Sequence, residues 1–387
     1  MNKQSILESK IVRHEALTFD DILLLPNYSE VKRQDTDISV HLHPKIRLPL
    51  PVLSSPMDTV TEESMAIAMA LDGGLGILHR NVSVENQASM VQKVKQHKGK
   101  NRSESSVDSA VDDSKSLLVG AAVGVGSDTM ERVDMLLKAK ADVIVVDSSH
   151  GYTKFVIDTV REIKSKYPTC VLMAGNIATY DGARALIDAG ADILRVGMGP
   201  GSICTTRIIS GMGVPQISAV SAVVRATEGS KVTVVADGGI RQIGDMAKAL
   251  AFGASAVMLG SLLARFDESP GDVKEIDGKK YKVYRGMGSL AAMKKGGAER
   301  YGQNRNTDEK KLIAEGVEGY VSYQGSVSEY LYQIQGSLHT SLYYLGSKNL
   351  EEFFEKSRVI KISNAGLLES HPHDIAIESS GGNYNKK

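Results

Sequence analysis

The chain has 387 residues, of which 42% are hydrophobic, enough to bury a full core in one large domain or two smaller ones. Because 46 basic residues balance 46 acidic ones, no net charge draws the protein to nucleic acid or to an anionic membrane, and neither partner is expected. No apolar run approaches the roughly 18 residues of a membrane span, and the first residues lack the apolar core of a secretory signal, which predicts a cytoplasmic protein.

Short apolar runs rich in Val, Ile, Leu and Ala recur along the chain, and each is followed by a segment with helical periodicity. This alternation is typical of buried parallel strands joined by crossover helices. The predicted strands are residues 51–56, 74–79, 117–124, 141–148, 170–177, 191–199, 231–239 and 254–264. Eight such units predict an α/β fold, a closed (β/α)8 TIM barrel, with residues 1–387 forming a single catalytic domain.

The segment after the first strand carries helix signals at both of its ends. Thr59 and Glu62 have the spacing of a capping box ahead of the sequence MAIAMAL. Met65 and Met69 supply an inward stripe, and Gly73 can end the helix in a left-handed conformation.

Three segments fall outside the eight units. Residues 97–116 are polar and Ser-rich, which predicts a flexible linker between the second and third strands. Residues 266–325 form a long excursion after the eighth strand, and excursions of this length are typical of mobile loops or flaps over an active site. Residues 370–387 form a C-terminal tail whose last residues would be disordered when free in solution.

The stretch RVGMGPGSICTTR, residues 195–207, is the sharpest chemical signal. In a TIM barrel the reacting groups lie at the carboxyl ends of the strands, and this stretch follows the sixth strand. Its glycines let backbone amides converge on an anion, or carbonyls on a cation, and Ser202 adds a hydroxyl group. Cys204 in this loop, near Arg207, has the setting of a nucleophilic thiolate. Cys170, inside a predicted strand, is interpreted as a buried apolar residue.

Two glycine-containing loops predict a phosphate site. Barrels often bind phosphate with the loops after strands seven and eight, which here are DGGI (237–240) and GSLL (260–263). Either loop alone could be a tight turn without a ligand, but the two together favour one. The GVG sequence at 124–126 is a weaker signal for a dinucleotide fold, because Thr129 stands where the third glycine of that fingerprint belongs.

Six motifs in a fixed order resemble the inosine monophosphate (IMP) dehydrogenase and guanosine monophosphate reductase superfamily. They are LTFDDILLLP (17–26), SSPMDTVTE (54–62), GPGSICTTR (199–207), GVPQ (213–216), VVADGGI (234–240) and YRGMGSL (284–290). The resemblance implies that Cys204 attacks C2 of the hypoxanthine ring of IMP, that a hydride passes to NAD, and that the thioimidate is hydrolysed to xanthosine monophosphate (XMP), a step of guanine nucleotide synthesis. RYGQ (300–303) followed by AEGVEG (314–319) favours the dehydrogenase over the reductase.

The same resemblance assigns roles to individual residues. IMP would be bound by Ser55, Met57, Ser202, Asp237, Gly238, Gly239, Gly260, Ser261, Tyr284, Gly286, Met287, Gly288 and Glu315. NAD would be bound by Asp147, Ser148, Ser149, Asn176, Arg195, Gly197, Met198 and Gly199. The catalytic set would be Cys204, Thr206, Arg300 and Tyr301, with the last two brought by a flap into the vacated cofactor site. Activation of the hydrolytic water is left open between Arg300 and a pair formed by Thr206 and Glu315.

The resemblance also implies a potassium ion and an assembly. Carbonyl groups of Gly199, Gly201 and Cys204 would bind the ion together with Ser380, Gly381 and Gly382 from the tail of a neighbouring subunit. Such sharing predicts a cyclic homotetramer. Most members carry a pair of nucleotide-sensing CBS modules between the second and third strands, where this chain has only the linker at 97–116. A catalytically inactive nucleotide-binding barrel is the alternative from another class, against which the intact catalytic set argues.

Overall fold

The computed structural model describes residues 10–12, 15–100, 107–303, 308–378 and 382–384. Its strands are β1 (Ile22–Leu24), β2 (Val40–His43), β3 (Ile46–Leu48), β4 (Val52–Ser54), β5 (Leu75–Leu78), β6 (Val119–Val123), β7 (Val143–Asp147), β8 (Val171–Ile177), β9 (Ile193–Val196), β10 (Thr233–Asp237), β11 (Ala256–Leu259), β12 (Val273–Ile276), β13 (Lys279–Arg285), β14 (Glu318–Ser322) and β15 (Val359–Lys361). Strands β4 to β11 form a closed barrel of eight parallel strands, in which β11 pairs with β4. The predicted TIM barrel is confirmed, and each predicted strand contains one observed strand.

The helices surround this barrel. They are α1 (Glu63–Leu71), α2 (Val84–Lys95), α3 (Thr129–Lys138), α4 (Lys154–Lys166), α5 (Tyr180–Asp188), α6 (Thr206–Ile209), α7 (Gln216–Ala226), α8 (Ile243–Ala251), α9 (Leu290–Lys294), α10 (Val327–Leu345), α11 (Leu350–Lys356) and α12 (Asn364–Glu369). Ser83, Thr153 and Thr179 cap α2, α4 and α5 by accepting a hydrogen bond from a backbone N–H three residues later. None of the helices in the described ranges has the length and apolar character needed to traverse a lipid bilayer.

The apolar core has two layers, as expected when both faces of a parallel sheet are covered. Side chains such as Leu53, Val145 and Met173 fill the inside of the barrel, and all are fully buried. The larger layer lies between the strands and the helices, where Met65 and Met69 of α1 are also fully buried. The hairpin of β2 and β3 extends the inner layer at the amino ends of the strands, because Leu42, Ile46 and Leu48 pack into it.

The start of α1 differs from the prediction. The helix begins at Glu63 with Glu62 as its N-cap residue, and no side chain caps it. The Thr59 hydroxyl instead accepts a hydrogen bond from the Arg285 N–H at 3.3 Å, and Glu62 Oε1 lies 3.0 Å from His79 Nε2. Long-range partners therefore take both side chains of the predicted capping box. Gly73 does adopt the left-handed backbone expected beyond the helix, with φ of +85°.

The described ends of the segment at 97–116 pack against the barrel. Lys98 forms an antiparallel bridge with Ser116, and Val111 forms one with Leu117. Ala110 is fully buried, and its N–H donates to the Ala70 carbonyl at 2.8 Å. These contacts bring the two described ends side by side on the barrel.

The excursion at 266–325 contains an antiparallel sheet of β12, β13 and β14, and both α9 and a 3-10 turn at Gly297–Tyr301 lie between β13 and β14 in the chain. Helix α10 follows it and occupies the eighth helical position, in contact with α8 and α1. Strand β15 pairs with β1, which joins the chain near residue 360 to its amino-terminal part.

Candidate active site

A cavity of about 400 Å³ lies at the carboxyl ends of the barrel strands, within the size range of small-molecule sites. The predicted site residues in its wall are Ser55, Met57, Ser149, Asn176, Arg195, Gly197, Met198, Gly199, Gly201, Ser202, Cys204, Thr206, Asp237, Gly238, Gly239, Gly260, Ser261, Tyr284, Gly286, Met287, Arg300, Tyr301 and Glu315. Asp147, Ser148, Gly288 and Gly382 are not part of this wall. Ser380 and Gly381 lie outside the described residues.

Cys204 begins a hydrogen-bonded chain that ends on a carboxylate. The Cys204 thiol donates to Thr206 Oγ1 at 3.2 Å, and the Thr206 hydroxyl donates to Glu315 Oε2 at 2.7 Å. Backbone contacts fix the carboxylate, because the Thr205 N–H donates to the Glu315 carbonyl and the Glu315 N–H donates to the Gly288 carbonyl. A proton can therefore pass from the thiol, or from a water beside it, towards Glu315.

Arg207 holds the shape of the cysteine loop. Its guanidinium donates to the carbonyl of Met198 at 3.2 Å and to that of Val214 at 2.6 Å. A Cβ atom on Gly199 would lie 2.6 Å from Arg207 Cγ, so a glycine is required there, where φ is +75°. Burial lowers the pKa of Arg207 below its ordinary value. The direct contacts of Arg207 are thus with backbone carbonyls of the loop that presents Cys204.

Another part of the cavity wall is rich in glycine backbone. Gly238 and Gly239 have φ of +90° and +79°, and both lie in the wall. A Cβ atom on Gly260 would lie 2.9 Å from the Tyr284 hydroxyl, so the backbone and the phenol are close neighbours. Burial raises the pKa of Tyr284, which keeps it protonated as a hydrogen-bond donor beside Ser202. Backbone amides and two hydroxyl donors suit a phosphate group.

Arg195, a residue of the cavity wall, joins two carboxylates. Its Nε donates to Asp237 Oδ2 at 2.9 Å, and its Nη1 forms an ion pair with Asp147. The side chain of Arg195 is 3% exposed, so this pairing offsets the cost of burying its charge. Asn176 adds a hydrogen bond from Nδ2 to Asp237 at 2.8 Å. Its Oδ1 is buried without a hydrogen-bond partner among the described residues.

Arg300 and Tyr301 lie inside the site, at the end of the turn that follows α9. Arg300 forms an ion pair with Asp147, and its carbonyl accepts hydrogen bonds from the Ser149 hydroxyl at 2.9 Å and N–H at 3.3 Å. The Tyr301 ring packs where a Cβ atom on Gly288 would lie, 2.7 Å from Cζ. Two residues predicted to bind the cofactor, Asp147 and Ser149, thus hold this segment.

The two charges of this ion pair reinforce each other. Burial alone would raise the pKa of Asp147, but the guanidinium groups of Arg300 and Arg195 hold it below its ordinary value. Burial alone would lower the pKa of Arg300, but the Asp147 carboxylate raises it above its ordinary value. Arg300 is therefore a firmly protonated cation in this conformation.

The sequence did not single out three polar residues at this end of the barrel. Thr18 and Arg241 belong to the cavity wall, and Arg80 lies beside Glu299 and Arg300. Arg80 comes two residues after β5, so the rule that reacting groups follow barrel strands could have found it. Thr18 precedes the barrel, and its position in the chain gives no such signal.

The model of the IMP dehydrogenase / GMP reductase domain matches residues 16–373. The chain belongs to the IMP dehydrogenase / GMP reductase family. Three relatives named inosine-5'-monophosphate dehydrogenase are similar over nearly their whole length. The relative from Borreliella burgdorferi is 43% identical over 95% of this chain and 99% of its own, and that from Cryptosporidium parvum is 44% identical over 96% and 98%. The relative from Bacillus subtilis is 40% identical over 97% and 99%.

Some of these relatives are longer than this chain because they contain additional internal sequence. The alignment with the Bacillus subtilis relative extends over 489 positions, more than the 387 residues of this chain, so that relative contains sequence that this chain lacks. The alignments with the relatives from Borreliella burgdorferi and Cryptosporidium parvum extend over only 401 and 397 positions. A chain of this length therefore has family members of similar size.

Proposed function

We propose that this chain is an IMP dehydrogenase, which oxidises IMP to XMP with NAD as the hydride acceptor and Cys204 as the covalent nucleophile. The observation that carries the proposal is the chain from Cys204 through Thr206 to Glu315 in the wall of a glycine-rich cavity. The names of the three relatives support the same substrate.

In the first step the Cys204 thiol loses its proton to solvent, and the sulfur adds to C2 of the hypoxanthine ring. The hydrogen on C2 then departs with its electron pair, which leaves a thioimidate between the ring and the sulfur. When bound, NAD supplies the acceptor for that hydride. Asp237 would accept hydrogen bonds from the ribose hydroxyls of IMP, and Ser202, Gly239, Gly260, Ser261 and Tyr284 would hold its phosphate.

The residues predicted for NAD fit a hydroxyl-bearing ligand. Asp147 offers carboxylate oxygens at the end of β7, and Asn176 Oδ1 is a buried acceptor that lacks a partner in the described chain. Because Asp147 and Ser149 also bind Arg300, the cofactor competes for the same two residues with the turn at Gly297–Tyr301, which is called the flap from here on. Hydrolysis would therefore follow release of the reduced cofactor and closure of Arg300 and Tyr301 over the thioimidate.

In the second step water attacks C2, and the Cys204 thiolate leaves as XMP forms. We infer that the proton of this water passes through Thr206 to Glu315, since the pKa of Arg300 is raised by its pairing with Asp147. Arg300 Nε is buried without a hydrogen-bond partner among the described residues, so it can orient the water as a donor. In this division of roles, Arg300 supplies a positive charge beside the water, and Glu315 is the general base that accepts its proton.

A monovalent cation, with potassium as the expected ion, would be bound by carbonyl oxygens of Gly199, Gly201 and Cys204. Oxygen donors of this kind suit hard cations, and the Gly201 carbonyl, which accepts the Cys204 N–H, keeps a second lone pair. The ion would fix the loop that carries the nucleophile. Within the described tail, Asn383 donates to Gln333 of the same chain at 3.4 Å. If the C-terminal tail instead completes the cation site of a neighbouring subunit, the protein would be a homotetramer. Light scattering can test this oligomeric state.

The deciding experiment is NADH formation after mixing the purified protein with IMP and NAD in potassium buffer. A parallel assay supplies guanosine monophosphate and NADPH. NADH formation in the first assay alone is the expected result. NADPH oxidation in the second assay alone would identify the reductase branch of the family, and activity in neither would leave a nucleotide-binding barrel.

A further inference from the structure

Arg80 is a buried cation at the carboxyl end of the barrel that the proposed reaction does not use. It lies two residues beyond β5, and its side chain is 11% exposed. Burying a guanidinium costs several kcal/mol unless a carboxylate pairs with it. Within the described ranges the carboxylate that comes within 4 Å is that of Glu299, with Arg80 Nη1 and Glu299 Oε2 3.9 Å apart.

The barrel, and not the flap, fixes the position of Arg80. Gly124 at the end of β6 packs against its guanidinium, since a Cβ atom on Gly124 would lie 2.8 Å from Arg80 Cζ and Nη1. Glu299 belongs to the turn at Gly297–Tyr301, directly before Arg300. The ion pair therefore joins a residue packed against the barrel to the segment that carries Arg300 and Tyr301 into the site.

The charges around Asp147 explain why such a pair is needed. Arg80 and Arg300 both act on the Asp147 carboxylate, and they repel each other across it. Closure of the flap brings Arg300 towards the fixed cation Arg80, and Glu299 arrives with it as a second negative charge. The incoming pair of Glu299 and Arg300 is neutral overall, so closure does not add net positive charge beside Arg80.

We propose that Arg80 is a positioning residue for the flap, whose ion pair with Glu299 holds Arg300 and Tyr301 in the site. The pair stabilises the closed conformation and is absent when the segment leaves. The link between flap closure and hydrolysis rests on the proposed function. The pairing itself can be measured on the protein without substrate.

Hydrogen–deuterium exchange of the whole protein, followed in peptides that cover residues 297–303, tests the pairing. Glu299→Gln and Arg80→Gln should each speed exchange in these peptides on the order of threefold, the effect of losing one partly exposed ion pair. Arg80→Lys keeps the charge and should restore part of the protection. Arg161→Gln, which removes an exposed arginine paired with Asp158 on α4, is the matched control and should leave these peptides unchanged.

The double variant decides whether the two residues act on each other. In the Arg80→Gln background, Glu299→Gln should add no further exchange, because the pair is already broken. Additive effects, or unchanged exchange in Glu299→Gln alone, would overturn the proposal. Glu299 is on the surface with 47% of its side chain exposed, so its substitution does not threaten folding.

Steady-state kinetics give a second test, because a purely structural role would not change kcat and the KM for NAD in the same direction. Because the flap and NAD compete for Asp147 and Ser149, Glu299→Gln should lower kcat and lower the KM for NAD together, by about the same threefold. A lower kcat with a raised KM for NAD would count against the assignment. If every variant and the parent are inactive with IMP and NAD, the proposed function is wrong. The hydrogen–deuterium exchange still tests the ion pair of Arg80 and Glu299 in that case, because it needs no substrate.

Discussion

Glu315→Gln is the substitution that separates the two possible water-activating groups. The Thr206 hydroxyl lies 2.7 Å from Glu315 Oε2, and a glutamine oxygen can accept the same hydrogen bond. The geometry is thus kept while the proton acceptor is removed. General-base catalysis contributes about 10² to 10⁴ in rate, so steady turnover should fall about a hundredfold, or about 2.7 kcal/mol in the barrier.

Rapid mixing of enzyme, IMP and NAD measures this effect step by step. We expect a burst of NADH near one equivalent per site to remain, followed by the slowed steady rate, because hydrolysis becomes limiting. Glu318→Gln, on the exposed part of β14, is the matched control and should behave as the parent. Turnover of Glu315→Gln within threefold of the parent would refute the assignment and return the role of base to Arg300.

Three further predictions concern the nucleophile, the phosphate site and the linker. Cys204→Ala should still bind IMP in calorimetry but form no NADH; hydride transfer at the parent rate would remove the covalent step. Gly260→Ala places a Cβ atom 2.9 Å from the Tyr284 hydroxyl and should raise the KM for IMP about tenfold with little change in folding, so an unchanged KM would exclude this loop as the phosphate site. Burial alone would raise the pKa of Asp112, but its ion pair with Lys95 lowers it to about 2, so its contribution to the free energy of unfolding is present above its ordinary pKa of 3.8 and is lost as the pH falls towards 2. The destabilisation caused by Asp112→Asn should therefore shrink between pH 5 and pH 3 in denaturant titrations, and a constant difference would contradict the ion pair.

The sequence by itself determined the barrel and the end of it that carries the site. Strands that are buried on both faces are continuous apolar runs. Such runs can be recognised in the sequence without knowing which strands lie beside them. The carboxyl ends of those runs then mark Asn176, Cys204 and Asp237 as candidates, because closure of a parallel barrel brings every such end to one face.

Only the tertiary structure decided which of these groups touch one another. Glu315 stands 109 positions after Thr206, so no local pattern links them, and only the family resemblance suggested the pair that the hydrogen bond now shows. The predicted capping box failed for the same reason, since Arg285 and His79 bind its two side chains from distant parts of the chain. Periodicity records which face of an element is buried, but hydrogen bonds and ion pairs depend on distances across the fold, and these exist only once the barrel has closed and the flap lies over it.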